Sequence, residues 1–101
     1  MVLGQIVISR AGRDTGKRFI VIKIIDDLFV QISDGDLRRI EKPKKKKIKH
    51  LESTGERAEV LEEKLNSNTR ISNSEIRKVL TGQKSTLENR NKYQEDSIDL
   101  K

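Results

Sequence analysis

Two short apolar runs on either side of one loop constrain this chain most. Ile6-Val7-Ile8 comes before Ala11-Gly12-Arg13-Asp14-Thr15-Gly16-Lys17, and Phe19-Ile20-Val21-Ile22-Lys23-Ile24-Ile25 comes after it. Both runs are rich in β-branched residues and too short to stand as helices, so they read as strands joined by a hairpin loop. Gly12 and Gly16 let that loop reverse and keep its backbone bare, while Arg13 and Lys17 put cations on it. Such a loop can present N–H groups and positive charge to a phosphate. The same pair of glycines also serves a chain that only needs to turn.

The strand pattern continues to Leu51. The spacing predicts strands over residues 5–10 and 18–25. In the second, Ile20, Ile22 and Ile24 are placed toward the core and Phe19, Val21 and Ile25 outward. Asp26-Asp27 marks a turn. Leu28 to Ser33 alternates as a half-buried strand does, and Asp34-Gly35 is a two-residue hairpin signal. A returning strand is therefore expected over Leu37–Glu41, closed by Pro43, with a short fifth strand over Lys46–Leu51. The expected core is Ile6, Ile8, Ile20, Ile22, Ile24, Val30 and Ile32. Five short strands in about fifty residues suggest a small barrel or rolled sheet.

After Leu51 the period becomes helical. Ser53-Thr54-Gly55-Glu56 and Ser72-Asn73-Ser74-Glu75 both match the Ser-x-x-Glu capping box, so helices are expected to begin near Ser53 and Ser72. Ala58, Leu61 and Leu65 stripe the first; Ile76, Val79 and Leu80 stripe the second, with Gly82 placed as its C-terminal glycine. The helices are expected to pack on each other or on the outward face near Phe19. Residues 83–101 are polar and read as a disordered tail.

Charge is concentrated in one place. The chain carries a net +6, and the thirteen residues from Arg38 to His50 hold eight basic residues against Glu41 alone. That stretch sums to +7, while residues 1–37 sum to 0 and residues 51–101 to −1. A block of this kind favours a polyanionic partner. Its lysines are read as standing outside the core, and exposed charges contribute little to stability. The chain has no cysteine, which removes disulfides and thiolate chemistry and suits a reducing cytoplasm. No apolar run is long enough to span a membrane, and no signal peptide is expected at the N-terminus.

Taken together, Gly4-Gln5-Ile6-Val7-Ile8, the loop Ala11–Lys17 and Val21-Ile22-Lys23-Ile24-Ile25-Asp26 resemble the KOW motif. With Phe29-Val30, the basic stretch and Ile48-Lys49-His50-Leu51-Glu52, the chain is similar to the large-subunit ribosomal protein fourteen family of archaea and eukaryotes, and to small bacterial KOW proteins related to it. The resemblance covers about half of the chain. It implies an SH3-like β-barrel over residues 1–52, followed by a helical appendage over 53–82 and the tail. It also implies binding to structured RNA, ribosomal RNA in particular. The RNA-facing set is then Arg10, Arg13, Lys17, Arg18, Arg38, Arg39, Lys42, Lys44, Lys45, Lys46, Lys47, Lys49 and His50.

No catalytic constellation accompanies these residues. His50 is the single histidine and lacks a nucleophile or metal-ligand partner. Acidic pairs fall at turns, where Asp caps backbone groups. Gly12 and Gly16 do not fit the nucleotide-binding P-loop pattern. With Phe19, Phe29 and Tyr93 as the only aromatic residues, the barrel lacks the stacking platform expected of a single-strand binder, and backbone and shape recognition of a folded or helical RNA fits better. The expectation is a cytoplasmic RNA-binding protein, not an enzyme, with no cofactor or metal. It is expected to be monomeric when free and to have RNA and ribosomal proteins as partners. The alternative is an adaptor that docks to the transcription or translation machinery through its helices.

Overall fold

The structure, a computed structural model, describes residues 1–82. Five strands come first: β1 (Gln5–Ser9), β2 (Arg18–Ile24), β3 (Phe29–Ser33), β4 (Lys44–Lys47) and β5 (Leu51–Arg57), with a 3-10 turn at Ile48–His50. Two helices follow, α1 (Glu59–Asn66) and α2 (Asn73–Leu80). The expected tail lies outside the described residues. The strands form one antiparallel sheet in the order β4-β3-β2-β1-β5. The sheet is open, since β4 and β5 are its outer strands and do not pair with each other. Among the described residues, no helix is long and apolar enough to cross a membrane.

Over β1 and the first half of β2 the sheet is covered on both faces. Val7, Phe19, Val21, Val30 and Ile32 fill one side, with Ile48 and Leu51 packed against them. On the other side Ile6 and Ile20 meet Ala58, Leu61, Ile71 and Ile76 from the helical half. This corrects the expected facing of β2. Phe19 and Val21 line the sheet's own core, and the helices cover the Ile20 face instead of the Phe19 face. Ile24 is 43% exposed, and Ile8 and Ile22 are half-buried. The reason is that β2 is apolar on both sides, so alternation alone does not say which side receives the helices.

Two further expectations fail where polar side chains take over backbone hydrogen bonding. Leu37–Glu41 is not a strand. Asp34 Oδ1 accepts from the N–H groups of Asp36 and Arg38, and Ser33 Oγ donates to the Arg38 carbonyl, which curls the segment into a loop. That loop docks on α2. Asn73 accepts from the Ile40 N–H and donates to Glu41, and Arg77 donates to the Gly35 carbonyl at 2.6 Å. A Cβ on Gly35 would stand 2.4 Å from the Asn73 carbonyl oxygen, so the approach requires glycine. The fourth strand is therefore formed later, by Lys44–Lys47.

The helix expected at Ser53 begins at Glu59, and residues 53–57 continue the sheet in β5. Pairing with β1 shifts register between Gln5 and Val7, a bulge containing Gly55 at φ +83°. Ser53 Oγ accepts from Gln5 Nε2 and from the Gly55 N–H, and Thr54 Oγ1 donates to the Ile6 carbonyl. The Ser-x-x-Glu signal is thus satisfied by a bulge. At Ser72 the capping box forms as expected: Ser72 Oγ accepts from the Glu75 N–H and Glu75 accepts from the Ser72 N–H.

Glu75 also accepts from Lys64 Nζ at 2.7 Å, tying α2 to α1. That hydrogen bond is the main reason the carboxyl is held below its ordinary value of 4.5, against the opposing effect of burial. Its contribution to stability is therefore complete above pH 4.5 and is lost as the pH falls through the lower folded-state value. Ser72→Ala should cost about 0.5–2 kcal/mol in chemical denaturation. Glu75→Gln, which keeps a capping-box acceptor, should make the melting temperature fall less steeply on acidification below pH 4.5 than it does in the wild type. An identical pH profile in the two proteins would show that the Lys64–Glu75 pair contributes nothing.

Candidate nucleic-acid interface

The loop between β1 and β2 is built around a buried acid. Asp14 is 6% exposed. Its Oδ2 accepts from Arg38 Nε and Nη2 at 3.2 and 3.1 Å, and Lys44 Nζ lies 3.9 Å away. Lys46 is 9% exposed and donates from Nζ to the Ala11 carbonyl at 2.8 Å. The Arg10 N–H donates to the His50 carbonyl. These bonds hold the basic stretch beside the loop. Within the loop the Thr15 hydroxyl donates to the Gly12 carbonyl at 2.6 Å and the Lys17 N–H donates to the Asp14 carbonyl.

The lysines of β4 alternate. Lys46 pairs across the ladder with Val30 and Lys44 with Ile32, on the side of the inner core, while Lys47 pairs with Phe29 and Lys45 with Gln31 on the opposite face. Reading all four as outside the core is therefore corrected. Lys46 is buried because its stem packs on the core side of the strand while its ammonium reaches the loop carbonyl, as long cationic side chains can.

Several other expected site residues are committed within the protein. Arg10 pairs with Glu52. Arg18 pairs with Glu56 at 2.8 Å and donates to the Leu80 carbonyl, which fastens the end of α2 to the start of β2. Arg39 lies 3.6 Å from Glu41. The Glu41 carboxyl is held below its ordinary value chiefly by the hydrogen bond from Asn73. His50 is half-buried. By contrast Arg13, Lys17, Lys42, Lys45, Lys47 and Lys49 are exposed and form no ion pair with any described acidic residue.

Asp14 is the structural anchor that the residue pattern alone did not single out. Its signal was present: it is the one acid inside an otherwise cationic loop.

An open antiparallel sheet with a cation-bearing hairpin loop and a basic neighbouring strand defines a small β-rich module with its positive charge gathered on one loop and strand. No family model matches the chain. It is 40% identical over 52 residues to large ribosomal subunit protein eL14 of Desulfurococcus amylolyticus, a match that covers 52% of this chain and 54% of that protein. It is 31% identical over 78 residues to large ribosomal subunit protein eL14 of Hyperthermus butylicus, covering 77% of this chain and 72% of that protein. The chain belongs to the eL14 family. It spans about half the length of the first of these relatives and nearly three quarters of the second.

Neighbouring lysines should differ sharply on substitution. Lys46→Gln should cost about 1–3 kcal/mol, the usual result of stranding a buried hydrogen-bonding group, and Asp14→Ala should cost a similar amount. Lys45→Gln should stay within about 0.5 kcal/mol of the wild type. Chemical denaturation of the three variants tests this; equal effects at 45 and 46 would contradict the burial of Lys46.

Proposed function

We propose that the chain is a non-enzymatic RNA-binding protein that associates with the ribosome and takes structured ribosomal RNA on the surface made by the β1–β2 loop and the basic stretch. The observation that carries the proposal is the distribution of ion pairs. Acidic residues of the protein pair with Arg10, Arg18, Arg38 and Arg39, Lys44 lies beside the same Asp14 as Arg38, and Lys46 donates to the loop. Arg13, Lys17, Lys42, Lys45, Lys47 and Lys49 are left exposed for phosphates. The RNA-binding set thereby narrows to these six, with the paired residues holding them in place.

The names of the two relatives support a place in the large ribosomal subunit, and with it a cytoplasmic setting and ribosomal proteins as neighbours. In this proposal the sheet is a KOW-type, SH3-like barrel whose gap between β4 and β5 is bridged by the 3-10 turn. The protein is monomeric when free, and it acts by attraction to the RNA backbone rather than by chemistry. Each neutralised phosphate releases counterions, which makes binding favourable and salt-dependent.

Changing Arg13, Lys17, Lys42, Lys47 and Lys49 together to glutamine tests this. The variant should keep its melting curve, since exposed charges contribute little stability. Its affinity for a folded ribosomal RNA fragment should fall steeply, and the slope of log affinity against log salt should flatten by about 0.7–0.9 for each phosphate no longer neutralised. Sedimentation of tagged protein with ribosomal particles should show the same loss at low salt. Wild-type RNA affinity and salt slope in the variant would overturn the proposal. Retained particle association without RNA affinity would favour an adaptor that binds protein.

A further inference from the structure

Phe29 is an aromatic residue that the packing does not account for. It is half-buried and belongs to neither hydrophobic core. Alternation along β3 turns Val30 and Ile32 into the sheet's inner core and puts Phe29 and Gln31 on the opposite face. Phe29 sits across from Lys47, and Gln31 sits between Lys45 on one neighbouring strand and Lys23 on the other. The Lys45 ammonium lies over the Phe29 ring, 4.5 Å from its centroid. Lys23, Lys45 and Lys47 are exposed and form no ion pair with described residues. A phenyl ring ringed by unpaired lysines, with one amide beside it, has the chemistry of a nucleotide site rather than of core packing.

We infer that this face of β3 and β4 is a stacking site for one unpaired nucleotide of the bound RNA. The inference rests on the RNA-binding proposal above and names the feature of the RNA that is recognised. Phe29 is the platform, Gln31 offers a donor and an acceptor to the edge of the base, and Lys45 and Lys47 take the flanking phosphates. A cation over an exposed ring is a weak interaction. When a base arrives, Lys45 gives up the ring and its ammonium moves to the phosphate. A single ring holds a single base. The site therefore suits a bulged or extruded nucleotide in folded RNA, whereas extended strands are bound on successive platforms.

The test compares a fully paired RNA hairpin with the same hairpin carrying one bulged 2-aminopurine. The wild type should bind the bulged form about 5- to 150-fold more tightly, the span that stacking one base on one aromatic ring supports. Phe29→Leu should lose that preference while keeping the affinity and salt slope for the paired hairpin; Phe29→Tyr should retain it. A second measurement uses the unaltered protein. Phe19 is fully buried, so the Phe29 ring-proton signals can be followed on titration, and the bulged hairpin should shift them upfield.

Equal wild-type affinity for the two hairpins with unmoved Phe29 signals would overturn the stacking site and leave the RNA-binding proposal standing. Failure of the wild type to bind either hairpin would overturn both.

Discussion

Everything in this fold depends on β2 being covered twice. Phe19, Ile20 and Val21 are all fully buried in succession, which no half-solvated strand allows. Phe19 and Val21 join the interior of the sheet, and Ile20 joins the layer shared with the helices. The helices would be too short to persist alone, and the sheet would expose its Ile6–Ile20 face without them. Burial of each half is thus conditional on the other, and the helical half works as the second wall of the sheet. The polar ties between the halves follow the same line: Arg18 to the Leu80 carbonyl, Asn73 to the 34–43 loop, and Arg77 to the Gly35 carbonyl.

The charged surface obeys a similar division of labour. A run of like charges is costly to hold together, and Asp14 offsets that cost at the point where the loop, Arg38 and Lys44 converge. A buried carboxylate with two cationic neighbours fixes where the backbone goes. The cations that remain unpaired are then displayed on a rigid base. Those two populations are interleaved residue by residue, which is why counting positive charge overstates the number available to a ligand.

Much of this organisation was legible in the residues. The β1–β2 loop, the turn at Asp26, the alternation of β3, the helix cap at Ser72 and the concentration of charge all rest on local rules, and local rules hold where neighbours in sequence decide the outcome. The facing of β2 was not legible, because Phe19, Ile20, Val21 and Ile22 are apolar on both sides and only the position of the helices breaks the tie. Ser53 misled because a hydroxyl two residues before a glycine serves a bulge as well as it serves a helix cap. The strand expected at Leu37–Glu41 gave way to side-chain hydrogen bonds from Ser33 and Asp34, made with residues that also suit a hairpin. Lys46 was hidden among identical neighbours; four lysines in a row carry no alternation, and the partner that distinguishes them, the Ala11 carbonyl, lies 35 residues away.

The open order of the sheet has a consequence for crowding. An unclosed sheet offers two rows of backbone groups to any passing chain, and proteins commonly blunt such edges with lysine or with bulges. Here β4 carries Lys45 and Lys47, and β5 carries the Gly55 bulge. Like charge on β4 opposes edge-to-edge pairing of two copies. The protection is electrostatic, so a polyanion that neutralises those lysines also removes it, and the polyanion must itself then act as the barrier.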